Sequence, residues 1–237
     1  MGALSVHLIE VTPRELPGLQ DTRGEKIREM LAVDHGIVVG TVRSIVGYQV
    51  QANLTGQQLL RGLRDLFTDP ITEHGMVNQS LLDNATFFPE SPEIAIMIGY
   101  KPGVTDNAAQ AALDGLVTLF PEQKGVVEIA TTMTYLFWDL PENVDGVWLA
   151  NTLHNPMIER GALAHREHCK QGTWPQLSFP KSPPNQLTEP VAIDLEVSDE
   201  ELIKISETGL LALNLEEMQA IQAQYRNKEI QRAREEF

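Results

Sequence analysis

The chain has 237 residues, of which 42% are apolar, and a formal net charge of −15. This size and composition are typical of a globular protein with a substantial hydrophobic core, not of a disordered chain. The apolar runs are too short for a membrane span, and the negative charge argues against a nucleic-acid partner, whose phosphates require a basic face.

The first part of the chain predicts the order β-α-β-β-α-β, which is the ferredoxin-like unit. Apolar runs indicate the strands, and apolar residues three and four positions apart indicate the helices. Asp21 and Thr55 are placed to cap the two helices, and Gly36 and Pro70 to end them. The predicted elements are a strand at 4–9, a helix at 21–33, strands at 37–42 and 45–50, a helix at 55–68, and a strand at 71–77.

The second part of the chain predicts the same order of elements. Asp106 is placed to cap its first helix, and Asn155-Pro156 to end its second. The predicted elements are a strand at 94–98, a helix at 106–119, strands at 126–129 and 135–138, a helix at 144–154, and a strand at 157–163.

Two short motifs occur in both parts at nearly the same separation. Pro17-Gly18-Leu19-Gln20-Asp21 reappears as Pro102-Gly103-Val104-Thr105-Asp106, an offset of 85 positions. Asp69-Pro70-Ile71-Thr72-Glu73-His74-Gly75 reappears as Asn155-Pro156-Met157-Ile158-Glu159-Arg160-Gly161, an offset of 86. Coincidental matches would rarely keep such a constant separation, and two copies are too few for a solenoid. The sequence therefore predicts a pseudo-twofold pair of units, at 1–85 and 86–169.

Residues 170–237 differ in composition from the two repeats. A proline-rich stretch at 174–190 predicts an extended linker, and 191–195 is a candidate strand. Ser198 and Asn214 are placed to cap two helices, the first ending near Gly209 and the second running to Phe237. From residue 186 onward there are 12 acidic and 5 basic residues, a net charge of −7. Because the last helix reaches Phe237 without a cap, we expect the chain to be the front section of a longer protein.

Cys169 is the single cysteine and cannot form an internal disulfide, which fits a reducing compartment. The first residues lack the charged and apolar parts of a secretory signal, so we expect a cytoplasmic protein. His165, His168 and Cys169 lie close in sequence, but no second pair of ligands at zinc spacing completes a metal site. We expect a solvated segment between strand and linker there, and no positioned base for a nucleophilic thiol.

Other candidate sites also have structural interpretations. Lys101 lies between Gly99 and Gly103 before a helix, which suits an anion, but the spacing of a phosphate-binding loop is missing. A structural turn is the favoured interpretation. Asp21 and Asp106 are interpreted as helix caps, not as a catalytic carboxylate pair.

Two glutamates follow the proline of the second motif in each copy. Glu73 and Glu159 are candidates to pair with basic residues such as Arg43 and so to mark an interface, since exposed ion pairs contribute little to stability. No combination of residues indicates catalysis. From the residues alone, the chain is interpreted as a binding or assembly module.

The repeated motifs resemble those of PurS, the small subunit of phosphoribosylformylglycinamidine synthase, a glutamine-dependent ligase of purine biosynthesis. The shared pattern is Pro-Gly-x-x-Asp before a helix, a glycine, a Val-x-x-Val-Arg strand, and an apolar helix ending in Asn/Asp-Pro-x-x-Glu. The first copy matches at Pro17, Gly18, Asp21, Gly24, Val42, Arg43, Leu63, Pro70 and Glu73. The second copy has Ala109 at the glycine position and no arginine, and matches at Pro102, Gly103, Asp106, Leu149, Asn155, Pro156 and Glu159.

This resemblance implies ferredoxin-like units that associate through their sheets, the sheet face of one copy being buried by the other. Residues 209–218 are similar to the linker that leads into PurL, the large synthetase subunit. The implied partners are a PurL-like synthetase and a PurQ-like glutaminase, between which ammonia passes, and possible further copies of the chain. No catalytic, cofactor-binding or metal residue is implied here, and ATP and Mg belong to the complete enzyme. The implied interface or structural positions are Pro17, Gly18, Asp21, Arg43, Pro70, Glu73, Pro102, Gly103, Asp106, Pro156 and Glu159.

Two alternatives stay open beside this interpretation. The first is a free-standing ferredoxin-like protein that binds a small regulatory ligand between its two units. The second is a small enzyme with a site at the cluster from His165 to Cys169.

Overall fold

The computed structural model describes residues 4–123, 127–181 and 193–226. The chain divides into two compact units, Met1–Pro184 and Asn185–Phe237. The first unit combines helices with a β-sheet, so the predicted α+β class is confirmed. None of the helices in the described ranges is long and apolar enough to cross a membrane.

The described residues of the first unit form six strands and five α-helices. The strands are β1 (Ser5–Pro13), β2 (Thr41–Ala52), β3 (Glu73–Val77), β4 (Ile94–Tyr100), β5 (Glu128–Trp138) and β6 (Glu159–His165). The helices are α1 (Thr22–His35), α2 (Gly56–Gly62), α3 (Asn107–Leu119), α4 (Gly146–Leu153) and α5 (Arg166–Lys170). Helix α2 continues into a π-helical turn at Leu63–Phe67, and short 3-10 turns lie at Leu81–Asp83 and Pro121–Gln123.

All six strands form one antiparallel sheet in the order β3-β1-β2-β5-β4-β6. The two halves of the sheet, β3-β1-β2 and β6-β4-β5, repeat one arrangement and meet where β2 pairs with β5. That pairing runs from Thr41 opposite Trp138 to Gln51 opposite Glu128. The two halves are therefore joined edge to edge in one continuous sheet.

Each half has three strands where four were expected, so the ferredoxin-like order is not confirmed. The predicted strands at 37–42 and 45–50 are replaced by the single strand β2. Arg43 and Ser44, which suggested a turn, lie inside β2 because both buried side chains find hydrogen-bond partners there. In the second half, β5 likewise replaces two predicted strands and places the buried Thr132 and Thr134 in its interior. Part of the predicted strand at 126–129 lies outside the described residues.

The helix face of the sheet, the side that carries Ile9 and Ile96, is covered by helices of both repeats. One core cluster there combines Ile9 with Leu116 of the second repeat. The other combines Leu31 of the first repeat with Ile96 and Leu149 of the second. Because α1 lies in the second half's core and α3 in the first half's core, the halves are interlocked. Helices, and not a stacked sheet, bury the sheet face of each half.

The opposite face of the sheet is covered by chain segments instead of long helices. Residues around Leu81 and Phe88, from the β3–β4 connection, pack with Ile45 and Leu136 on this face. Part of the predicted linker lies on this face. The segment 173–181 has no regular secondary structure and contacts the sheet. Gln49 of β2 donates a hydrogen bond to the carbonyl of Leu177, at 2.5 Å.

The second unit is a pair of helices in its described residues. Helix α6 (Asp199–Thr208) begins at the predicted cap Ser198 and ends at Gly209, and helix α7 is Leu215–Arg226. Asn214 caps α7, because its Oδ1 accepts the backbone N–H of Glu217 at 3.0 Å. Of the candidate strand at 191–195, residues 193–195 are not a strand and 191–192 lie outside the described residues. The predicted helical stretch after residue 226 also lies outside them.

Candidate functional site

The aspartate of the first repeated motif joins a helix to the inner strand of its own half, the strand that pairs with the other half. Asp21 Oδ1 accepts the backbone N–H of Gly24 at 2.9 Å, which caps α1 as predicted. Its Oδ2 also accepts the backbone N–H of Ser44 at 2.5 Å, and the Ser44 hydroxyl donates to the same carboxylate. A hydrogen bond to a backbone N–H inside β2 was not expected, because the sequence suggested a turn at Ser44.

The second copy repeats this arrangement. Asp106 Oδ1 accepts the backbone N–H of Ala109 at 2.9 Å and caps α3. Its Oδ2 accepts both the backbone N–H and the hydroxyl of Thr131 at 2.8 Å, on β5. The preceding glycines, Gly18 and Gly103, have the same φ of +83°, a left-handed conformation that favours glycine. The first motif is therefore a structural device that fixes each helix to the sheet.

We expect Asp106→Ala to lower the free energy of unfolding by about 2 to 4 kcal/mol, because it removes a cap and leaves two donors of Thr131 without their acceptor. Asp106→Asn keeps one acceptor oxygen and should lose less. Asp145, whose hydrogen bonds in the described part of the chain come from the N–H groups of Val147 and Trp148 in its own helix, is the matched control. Equal losses for Asp106→Ala and Asp145→Ala in urea unfolding would contradict a role for the strand contact.

The second repeated motif is a closed turn between a helix and an outer strand. Glu73 Oε2 accepts the backbone N–H of Asp69 at 2.9 Å, and Glu159 Oε2 accepts that of Asn155 at 2.6 Å. The expected pairing of Glu73 with Arg43 is wrong, because Arg43 instead pairs with Glu15 at 2.6 Å. Pro70 and Pro156 lie inside these turns.

A cation closes each of these turns from the neighbouring strand. Lys101 Nζ donates to the carbonyl of Pro156, so the structural interpretation of its turn is favoured over an anion site. Arg14 takes the same place after β1 and donates from Nε to the carbonyl of Glu73 at 2.8 Å. The repeat of this cation was missed in the sequence because two extra residues precede Pro17 in the first copy.

The guanidinium that the second copy was expected to lack is supplied from another strand. Arg43 of β2 donates to the carbonyl of Pro13 at 2.8 Å and lies 4.6 Å from the ring centre of Phe88. Burial lowers the pKa of Arg43, and the charge of Glu15 opposes that shift. In the second copy, Arg160 of β6 donates to the equivalent carbonyl of Tyr100 at 3.1 Å. The two halves thus satisfy the same carbonyl differently and present different surfaces.

Each repeated turn also exposes an apolar side chain at its tip. Ile71 is 74% exposed and Met157 is 81% exposed, and they occupy equivalent positions of the second motif. Because β1 and β4 run in opposite directions in the sheet, the two tips lie at opposite ends of it. A single exposed apolar residue is ordinary on a protein surface, so what distinguishes these two is that they recur at equivalent positions of the repeat.

The cluster from His165 to Cys169 is solvated over residues 165–168, as expected, but it contains helix α5, which was not expected. His165 and His168 are exposed, whereas Cys169 is buried in the core on the opposite face of the sheet. Burial raises the pKa of the Cys169 thiol to about 11. A nucleophilic cysteine needs the contrary shift, so this thiol is suited to packing.

We expect Cys169 to resist thiol reagents in the folded chain. A pKa near 11 leaves roughly a hundredfold less thiolate than a free cysteine has, and burial blocks access further. The reaction rate with an aromatic disulfide reagent, compared in native buffer and in guanidinium chloride, measures this. Rapid labelling of the native chain would contradict it.

Glu10 is a buried carboxylate that the sequence did not single out, because a single acidic residue beside an apolar run belongs to no recognisable motif. It is 5% exposed, on the opposite face of the sheet. Its Oε2 accepts the backbone N–H of Leu81 at 2.7 Å and the hydroxyl of Ser80 at 3.2 Å. Burial raises the pKa of Glu10 above its ordinary value, and these hydrogen bonds offset part of the shift.

The raised pKa of Glu10 makes stability depend on pH. Since the folded state holds this proton more tightly, the free energy of unfolding falls as pH rises from the ordinary pKa of 4.5 through the folded-state value. We expect Glu10→Gln to remove this fall, which amounts to at most about 1.4 kcal/mol per pH unit. Urea unfolding at several pH values measures it, with Glu25→Gln on the exposed side of α1 as control. An unchanged pH slope in Glu10→Gln would contradict the assignment.

The acidic residues of the two repeated motifs, Asp21, Asp106, Glu73 and Glu159, all accept hydrogen bonds from backbone N–H groups. Within residues 4–123, 127–181 and 193–226, no group of three or more His, Cys, Asp or Glu side chains could hold a metal ion. The chain matches no protein-family model and no curated protein.

Proposed function

We propose that this chain is the PurS-like assembly and channelling section of a phosphoribosylformylglycinamidine synthase, which uses glutamine and ATP to convert FGAR to FGAM. It is not catalytic alone. The observation that carries the proposal is that the repeated acidic residues stabilise the fold and do not form a catalytic site. Asp21, Asp106, Glu73 and Glu159 all bond to backbone N–H groups of the fold and so act as structural residues.

The proposal includes a ferredoxin-like origin for each half. In each half the strand before the second helix lies beside the first strand, and the last strand lies on its other side. This is the arrangement of a ferredoxin-like sheet without its second strand. We propose that the inner strand of the other half, β5, takes that missing place beside β2. An edge that would otherwise be open is thereby paired.

The proposed contact surfaces are the two turn tips. Ile71 and Met157 are equivalent, exposed and at opposite ends of the sheet, so one body can touch two partners at once. A PurL-like synthetase and a PurQ-like glutaminase are the proposed partners, in the cytoplasm. The net charge of −15 favours basic partner surfaces, through complementary potentials that speed association. ATP and Mg are assigned to the synthetase.

Measurements on the isolated chain test the absence of its own catalysis. We expect no ATP-dependent amidation of FGAR and no ATP binding by calorimetry. When the chain is added to a PurL-like synthetase that lacks its N-terminal section, glutamine-dependent amidation should rise while ammonia-dependent amidation changes little. Tight ATP binding by the isolated chain, or no change in the glutamine-dependent rate, would contradict the proposal.

A second candidate, a protein that binds a small regulatory ligand, is favoured by one observation. A cavity of about 880 Å³ on the opposite face of the sheet is lined by residues of both repeats, including Glu10 and Thr134. Thermal unfolding with a panel of nucleotides and amino acids tests this candidate, because a regulatory ligand produces a saturable stabilisation.

A further inference from the structure

The cavity on the opposite face of the sheet has the size of a small-molecule site. Its volume of about 880 Å³ lies within the range of roughly 300 to 1,000 Å³ that ligand pockets occupy. Its floor includes Leu8 and Ile45 of the first repeat and Met97 of the second. Its walls are the segments 78–80 and 172–177, which follow β3 and α5.

Two hydrogen-bond acceptors of the lining have no donor among the residues that the structure describes. Glu10 uses Oε2 for its bonds to Ser80 and Leu81, and its Oε1 accepts none from the described residues. Gln49 donates from Nε2 to Leu177, and its buried Oε1 accepts none from them either. Because buried acceptors are nearly always paired, the buried Oε1 of Gln49, in the same cavity as the second carboxylate oxygen of Glu10, points to a donor-bearing occupant.

The sheet register places these two acceptors within reach of one small molecule. Glu10 lies opposite Gly47, and Gln49 lies opposite Leu8, so the two side chains are diagonal neighbours on one face. Diagonal neighbours on adjacent antiparallel strands are about 7 to 8 Å apart. Gly47, opposite Glu10, has no side chain that could separate the two acceptors. A Cβ at this position would meet the hydroxyl of Thr132.

The charges of the lining select the kind of occupant. Glu10 and Asp83 are its ionisable residues, and the described lining contains no Lys, Arg or His. Asp83 accepts the indole N–H of Trp174 at 2.7 Å, which holds an aromatic ring at the wall. A carboxylate beside an aromatic ring and apolar side chains suits an organic cation, whereas an anion would meet repulsion.

We propose that this cavity binds a small organic cation with two or more N–H donors, of the alkyl diamine or guanidinium class. One donor group bonds to Glu10 and another to Gln49, while the carbon chain lies against Leu8 and Ile45. This binding is independent of the assembly role, since neither turn tip lines the cavity.

Calorimetric titration of the full chain with putrescine, an alkyl diamine, and with agmatine, its guanidinium counterpart, tests the proposal. Butanediol and succinate have the same carbon chain without positive charge and serve as matched probes. We expect saturable one-to-one binding of putrescine and none of the other two. Glu10→Gln should weaken the binding about tenfold or more, because a charge-assisted hydrogen bond is lost. Glu25→Gln, outside the cavity, should leave the affinity unchanged.

A second measurement covers the case in which Glu10→Gln does not fold. The indole N–H resonance of Trp174 in the wild-type chain should shift with putrescine and saturate at the same concentration as the calorimetric signal. No binding of putrescine or agmatine, or equal affinity for butanediol, would overturn the proposal. So would a folded Glu10→Gln variant with wild-type affinity.

Discussion

Gly24→Ala is expected to lower the free energy of unfolding by about 3 kcal/mol or more, although alanine is normally the better helix residue. Gly24 is buried in the first turn of α1, where the helix touches β2 directly. A Cβ there would overlap the carbonyl oxygen of Val42 and lie 2.8 Å from its carbonyl carbon. Backbone atoms of a central strand cannot move aside, so the helix would have to shift and loosen its bond from Asp21.

Two variants separate this clash from general effects of the substitution. Gly56→Ala in α2 places its Cβ in open space and should be neutral or stabilising by up to about 1 kcal/mol. Ala109 holds the equivalent place in the second copy, so Ala109→Gly should cost only about 1 kcal/mol of helix propensity plus the buried methyl. Urea unfolding of the three variants measures the differences. A Gly24→Ala variant as stable as Gly56→Ala would contradict the close approach.

The first half of the chain, residues 1–85, is expected not to fold as a monomer. Its core cluster loses the side chains of Leu116 and Phe120, which come from the second repeat. Each large apolar side chain contributes about 1.5 to 3 kcal/mol when buried, and a whole domain is stable by only about 5 to 15 kcal/mol. The fragment also leaves β2 unpaired along the edge that β5 covers.

Circular dichroism and sedimentation of the fragment measure this outcome. We expect an unfolded chain when dilute and, at higher concentration, a dimer in which β2 pairs with its own copy, because the repeat makes that pairing self-complementary. Mixing with a fragment of residues 86–184 should restore the native near-ultraviolet spectrum. A cooperatively folded monomer of 1–85 would contradict the interlocked core.

Local features of this fold could be predicted because they depend on residues close in sequence. Asp21 and Thr55 each cap the helix that follows within one turn, and Gly36 ends α1 in the left-handed conformation. The repeat was also readable, since its motifs keep their spacing. The polar residues inside β2 were misread because Ser44 is satisfied by Asp21, which is 23 positions away.

Features that depend on distant residues could not be predicted. Nothing local shows that Leu31 packs in the core of the second repeat, or that Arg160 replaces Arg43 from a different strand. The burial of Glu10 depends on the segment around Leu81. The side chain of Gln49 is shielded from solvent by the segment at Leu177, which lies across the sheet. These contacts require the sheet order, which the pattern of single strands does not contain.

Sedimentation velocity of the full chain, mixed with a PurL-like synthetase and a PurQ-like glutaminase, tests the assembly role most directly. We predict one complex that contains all three proteins. The double variant Ile71→Asp with Met157→Asp should release the chain from it, whereas Val33→Asp, an equally exposed apolar position on α1, should not. A wild-type chain that sediments alone at concentrations of about 10 μM, where specific complexes form, would contradict the assembly role.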